Sequence, residues 1–171
     1  MAMKLKSIDP RKITDNPFKL IADDWMLVTA GDLKSFNTMT ASWGTFGELW
    51  HKKICTCFVR PVRHTYTFME SADIFTLSFF EEKHRDALKL CGTKSGRDVD
   101  KMTATGLTPV SDEEGTVYFS QARLVMACRK IYTHDLDPAR FLDPKIDEEY
   151  PDKDYHRMYV GEIVRCLAEN T

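Results

Sequence analysis

The chain is built from short apolar runs separated by polar stretches, and few of its apolar positions recur at helical spacing. Met26 to Ala30 is a β-type run closed by the turn signal Gly31-Asp32, and Phe36 to Trp43 resumes as a second, threonine-rich strand. Ile54 to Val59 is a third, ended by Pro61, which cannot donate to a ladder. Ile74 to Phe80 is apolar on both faces, with Phe75, Leu77 and Phe79 on one side and Ile74 and Phe80 on the other, so it is expected to be central. Glu81 to Leu90 is expected to be a helix, with acids at its start, Lys89 near its end and Gly92 as a cap just beyond. Val117 to Ser120 and Ala122 to Ile131 follow the turn Asp112 to Gly115 as a long strand pair. Arg140 to Leu142 is at most one helical turn, and Tyr155 to Leu167 supplies a last strand.

Many strands with few short helices predict a mainly β fold with peripheral helices, a small barrel. Regular strand–helix alternation and a Gly-x-Gly-x-x-Gly are both missing, which argues against a Rossmann-type nicotinamide domain. A strand apolar on both faces needs cover on both. So few helices leave a homodimer interface as the expected source of it.

At 171 residues the expectation is a single domain spanning 1–171. A net charge of -2 gives no electrostatic footprint for nucleic acid, and no apolar run reaches the roughly 18 residues of a membrane span. Residues 1–9 lack the apolar block of a signal peptide, so a cytoplasmic address is expected. Cys55, Cys57, Cys91, Cys128 and Cys166 are odd in number and scattered, which suits buried reduced thiols rather than a disulfide framework or a metal site.

Three segments carry the chemistry. On Asn37 to Trp43, Thr38, Thr40 and Ser42 share one face, while Asn37, Met39, Ala41 and Trp43 share the other. Three buried hydroxyls need partners, which a polar, phosphorylated ligand could supply; an exposed edge strand would account for them equally well. Arg60 and Arg63, with Thr65, follow the third strand and could clamp an anion or ring carbonyls, or be two solvated arginines. Lys94 to Lys101 is the most basic short stretch, holding Lys94, Arg97 and Lys101. There Ser95-Gly96 could present backbone N–H groups to a phosphate at a helix start, and Ser95 could equally cap that helix. Lys101 is expected at the surface, contributing little to folding. No nucleophile–base pair stands at a recognisable spacing, so no catalytic side chain and no metal is expected.

In this order the segments Asn37-Thr38-Met39-Thr40-Ala41-Ser42-Trp43, Arg60-Pro61-Val62-Arg63-His64-Thr65-Tyr66 and Ser95-Gly96-Arg97-Asp98-Val99-Asp100-Lys101 resemble the motifs of the flavin reductase-like FMN-binding split barrels. The flavoredoxin-like branch is the most similar. The resemblance runs from about Phe36 to Glu162. It departs from the two-component reductases, which carry a double proline where this chain has Arg60-Pro61.

The resemblance implies an FMN-binding split β-barrel, a homodimer with FMN in a groove at the subunit interface. It also implies a flavoprotein that takes a hydride from NADH or NADPH and passes electrons to free flavin or a redox protein. A flavoredoxin-like electron carrier without useful NAD(P)H oxidation, or a non-redox module for a phosphorylated ligand, are the alternatives. Contacts implied by the resemblance or its motifs are Asn37, Met39, Thr40, Ala41, Ser42, Trp43, Arg60, Arg63, Thr65, Ser95, Gly96, Arg97 and Lys101. His134, beside the ring system, and Tyr159, which with Asp154-Tyr155-His156-Arg157 resembles the family's C-terminal signature, complete the set.

Overall fold

Ten strands, four short α-helices and several 3-10 turns make up residues 5–169, the part described by the computed structural model. In chain order these are β1 (Leu5–Ser7), α1 (Pro17–Lys19), β2 (Met26–Asp32), β3 (Ser35–Ala41), β4 (Gly44–Leu49), β5 (Lys52–Val59), α2 (His64–Ser71), β6 (Ile74–Phe79), α3 (Arg85–Thr93), α4 (Lys101–Thr105), β7 (Pro109–Ser111), β8 (Val117–Phe119), β9 (Leu124–Asp135) and β10 (Arg157–Glu169). Seven of them form an antiparallel order β3-β2-β6-β9-β10-β5-β4, with β1 added to β10. β3 and β4 stand at the two ends with no ladder between them, although they are consecutive in the chain. The barrel is therefore split, and the link Ser42-Trp43 crosses the seam. No helix among the described residues is long and apolar enough to cross a membrane.

Period-two alternation places the core inside this curled sheet. Met26, Val28 and Ala30 of β2, Met39 and Ala41 of β3, Cys55, Cys57 and Val59 of β5, Phe75, Leu77 and Phe79 of β6 and Met126 and Cys128 of β9 all point inward. Gly161 of β10 lets the wall close: a Cβ there would lie 2.7 Å from Cys128 Cβ and 2.8 Å from Phe75 Cζ. All five cysteines are free and buried, as expected, and Cys55 Sγ lies 3.2 Å from Cys128 Sγ.

Opposite residues of β2, β6 and β9 point outward into a second cluster, where Leu27, Phe80 and Val125 meet Leu88 and Cys91 of α3 and Phe119 of β8. β6 is central, between β2 and β9. Its outer face is covered by its own chain, because Thr76 Oγ1 donates to Val117 O at 2.6 Å and the Phe80 and Phe119 rings pack 6.1 Å apart. The expectation that this face needs a partner subunit is thereby removed.

Several expectations are corrected. β8 pairs with β7 in a separate hairpin and not with β9, since the chain turns at Ser120–Arg123 before β9 joins β6 and β10. β4 and α2 are absent from the sequence reading. β4 is an exposed edge whose glycines break the apolar alternation, and α2 has only two buried side chains, Thr65 and Met69. The expected helix from Glu81 begins as a 3-10 turn and runs as α3 to Thr93, so Gly92 is inside it rather than past it. A Cβ at Gly92 would lie 3.3 Å from Thr40 Cβ, so the glycine serves the close approach of α3 to β3.

Candidate functional site

β3, the start of α2, the end of α3 and the 94–101 segment converge beside the seam. Asn37 is buried on β3 and donates through Nδ2 to Thr65 Oγ1 at 2.7 Å, which ties β3 to the first turn of α2. Ser95 Oγ accepts from Arg97 N at 3.2 Å, and Ser95 O accepts from the N–H groups of Asp98 and Val99. Ser95 therefore closes its own turn. The helix expected at Ser95-Gly96 starts at Lys101 instead, capped by Asp100, whose Oδ1 accepts from Met102 N and Thr103 N.

These elements enclose a cavity of about 190 Å³ that brings together Asn37, Arg63, Thr65, Ser95, Gly96, Arg97 and Lys101 with His64, Thr93 and Lys94. An adjoining groove of about 170 Å³ runs along the seam and holds Met39, Thr40, Ala41, Ser42, Trp43, Arg60 and Arg63 with Phe58 and His156. Arg63 lines both, so they form one depression with a cationic end and an aromatic end.

Lys101 is the unusual residue. It is 5% exposed, and its Nζ donates to Thr38 O at 2.6 Å and to Cys91 O at 3.2 Å. The surface position expected for it is overturned, because α4 points its first residue between β3 and the end of α3. No ion pair among the described residues includes Arg63, Lys94, Arg97 or Lys101. Burial holds the Lys101 ammonium below its ordinary value, and neighbouring Arg63 adds to this. Burial likewise lowers Arg63, with Arg60 reinforcing it, and lowers His64, with Arg97 and Lys101 reinforcing it. Three groups are thus pushed toward their neutral forms by desolvation and mutual repulsion, a state that an incoming anion would reverse.

The hydroxyl reading of β3 needs correction. Thr38 Oγ1 and Thr29 Oγ1 are 2.8 Å apart, and Thr40 Oγ1 donates to Leu88 O at 2.5 Å, so both are satisfied by the protein. Ser42 Oγ has no hydrogen-bond partner among the described residues and lies in the groove. Met39 and Ala41 are core residues that only floor the groove.

Two expected residues are elsewhere. Tyr159 is fully buried in the barrel, its hydroxyl donating to Glu70 Oε1 at 2.6 Å, because β10 turns that position inward. His134 is exposed near the end of β9, stacked on Tyr132 with ring centroids 6.3 Å apart.

The histidines that do line the depression are His64 and His156, which the sequence reading did not single out. For His64 no sequence signal distinguishes it. His156 lies within the quoted C-terminal signature, but which of its residues faces the groove depends on the strand's register. Its ring sits 5.0 Å from Trp43, and its Nδ1 is 2.8 Å from the Tyr150 hydroxyl, with Arg60 over the Tyr150 ring at 4.9 Å and paired to Asp154 at 2.7 Å. Burial, with Arg60 second, lowers His156 to about 4. Its unfolded value of 6.5 is higher, so the unfolded chain binds more protons between these limits and stability rises with pH across them. Wild-type stability should therefore fall as pH drops from about 6.5 to about 4, and His156→Phe should flatten that slope. Denaturant titrations at graded pH measure it, and equal slopes would show that the imidazole is not held neutral.

Comparison with known proteins adds the following. The model of the flavin reductase like domain matches residues 18–171. No curated protein matches the chain. Among solved structures, an FMN-binding domain of a flavin reductases-like enzyme from Shewanella baltica superposes with a TM-score of 0.72 at 16% identity, covering 99% of this chain and 79% of that one. A flavoredoxin from Methanosarcina acetivorans gives 0.67 at 19% identity, covering 95% and 77%. An NADH:FAD oxidoreductase from Streptomyces globisporus, in complex with NAD and FAD fragments, gives 0.62 at 17% identity, covering 84% and 73%.

Proposed function

The chain belongs to the flavin reductase-like family, and from that premise we propose that it binds FMN in the two-part depression. In this reading it takes a hydride from NADH or NADPH and delivers electrons to free flavin or a redox protein. The observation that carries the reading is Lys101: a buried ammonium held by two backbone carbonyls, facing a cavity whose cations have no acid to pair with. A buried charge without a counter-ion is costly, and a phosphate of about -1.5 to -2 units is a fitting partner.

The cradle suits that group in two further ways. Arg63, the cap residue of α2, makes no side-chain capping bond, so the positive end of this helix is left to a ligand. A Cβ at Gly96 would lie 2.1 Å from Asn37 Oδ1, so only glycine leaves the backbone open there without displacing the Asn37–Thr65 bond.

Bound FMN would supply hydride acceptance and onward electron transfer. Lys101, Arg97 and the Gly96 backbone would hold its phosphate, and Arg63 would sit where phosphate end and ring end meet. Trp43, Ser42 and the neutral His156 ring would flank the flavin ring, with Ser42 Oγ free to hydrogen-bond to it. Electrons can pass between stacked rings without a protein acid or base, so the chain's task is orientation and the balance of charge. FMN is favoured over FAD because the phosphate cavity is small and the similar structure from Shewanella baltica is an FMN-binding domain. A homodimer that covers the half-exposed Trp43 and closes the groove belongs to the same proposal.

Anaerobic mixing of the FMN-loaded protein with NADH or NADPH tests it. Loss of the oxidised-flavin bands, followed by turnover when free flavin is added, is expected. Bleaching by dithionite but by neither nicotinamide would instead establish the electron-carrier reading, which rests on the same site.

A further inference from the structure

At the aromatic end of the depression the His156 imidazole is held between Trp43 at 5.0 Å and Phe58 at 6.4 Å, and its Nδ1 lies 2.8 Å from the Tyr150 hydroxyl. Its other nitrogen, Nε2, has no hydrogen-bond partner among the described residues and is not shut off from solvent. It therefore opens onto the groove that the ring lines.

Tyr150 follows the 3-10 turn Pro144–Glu149, is 2% exposed and stacks on Phe141 with ring centroids 6.2 Å apart. Arg60 lies 4.9 Å over its ring and is itself pinned by Asp154 Oδ1 at 2.7 Å and Glu149 O at 2.9 Å. Among the described residues the Tyr150 hydroxyl has no partner except His156. If the imidazole donated from Nδ1, the phenol hydrogen would be buried without an acceptor, at the cost of a lost hydrogen bond. With the phenol donating, both groups are satisfied, and the hydrogen of the neutral imidazole must stand on Nε2. Burial raises the phenol and lowers the imidazole, so neither takes on a charge near neutral pH that would undo the arrangement.

We propose that Tyr150 is a positioning residue that holds His156 in its Nε2–H form, and that this Nε2–H is the groove's donor to a carbonyl oxygen of the flavin ring. The inference deepens the FMN reading and rests on it for the identity of the ligand. A nitrogen that can only donate suits a ring oxygen, which accepts in the oxidised and reduced states alike. It does not suit N5, which gains a hydrogen on reduction. Charge added to the reduced ring rests partly on its oxygens, so the bond strengthens on reduction. An uncharged donor does this without adding to the positive charge of Arg60 and Arg63, which line the same groove.

Heteronuclear NMR of histidine-labelled, flavin-free protein near neutral pH should show Nε2 carrying the hydrogen and Nδ1 bare. A hydrogen on Nδ1 would overturn the hold that Tyr150 exerts. Equilibrium reduction of the FMN-loaded protein against a dye of known potential tests the ring contact. His156→Phe should lower the preference for reduced over oxidised FMN about tenfold, a drop of about 30 mV for a two-electron couple. Tyr150→Phe, which keeps the aromatic ring beside Phe141 and Arg60, should shift the same way by at least about threefold. His156→Gln, whose amide can donate from a similar place, should stay within about twofold of wild type. An unchanged potential in His156→Phe would overturn the flavin contact, and an unchanged one in Tyr150→Phe would overturn the positioning role, with the FMN site standing in both cases. Absence of FMN binding by wild type would reject the FMN reading and the ring contact with it, while the flavin-free spectra still decide the tautomer.

Discussion

Titrated into the flavin-free protein, FMN is expected to bind at least about 100-fold more tightly than riboflavin. The two ligands share the ring and ribityl chain, so the difference isolates the phosphate. Lys101 and Arg97 line its cavity with no acid opposite, and a hydrogen bond to a charged group is worth roughly 1.5–3 kcal/mol. Two such bonds exceed the roughly 2.7 kcal/mol that a hundredfold ratio requires. Part of the gain is the relief of the cavity itself, since an anion offsets the burial, and with it the lesser repulsion, that lowers Arg63, His64 and Lys101 together. Fluorescence titrations at fixed salt measure the ratio, and equal affinities would mean that the cavity does not recognise phosphate.

The second large effect is expected at Lys101. Lys101→Met should weaken FMN binding by roughly 1.5–3 kcal/mol, about tenfold to a hundredfold or slightly more. Flavin-free stability should change by no more than about 1 kcal/mol. Methionine keeps the buried stem and volume, and two opposing changes nearly offset. The bonds to Thr38 O and Cys91 O are lost, while a desolvated charge without a counter-ion is removed. Denaturant unfolding of both flavin-free proteins, beside FMN titrations, separates the roles. A collapse of flavin-free stability with unchanged FMN affinity would make Lys101 a strut of the β3–α3–α4 junction and not a ligand.

Much of the barrel is legible in the chain because alternation is a local property. β2, β5 and β6 carry inward and outward sets that anyone can assign by counting in twos, and they fall as expected. What escapes is whatever depends on partners distant in sequence. β4 is an edge strand with little to bury, so it leaves no apolar trace. The β7–β8 hairpin covers β6 from 41 residues away, as the Thr76 to Val117 bond shows, and no pattern within β6 reveals that.

The site divides the same way. Asn37, Arg63, Thr65, Ser95, Gly96, Arg97 and Lys101, drawn from three separate segments, line one cavity. Their individual chemistry is not what composition suggests. The threonine hydroxyls of β3 find protein partners, and the lysine that looks like a surface charge is buried. Tyr159 and His156 are three residues apart on one C-terminal stretch, yet one enters the core and the other the groove. Register and the approach of β5 decide that, and neither is written in the residue types.

The absorption spectrum of the purified protein after saturation with FMN and removal of free ligand tests the central claim most directly. The account predicts the visible bands of bound oxidised flavin at close to one FMN per chain, with Lys101→Met retaining far less under the same treatment. A colourless wild-type protein that gains no thermal stability from added FMN would contradict it.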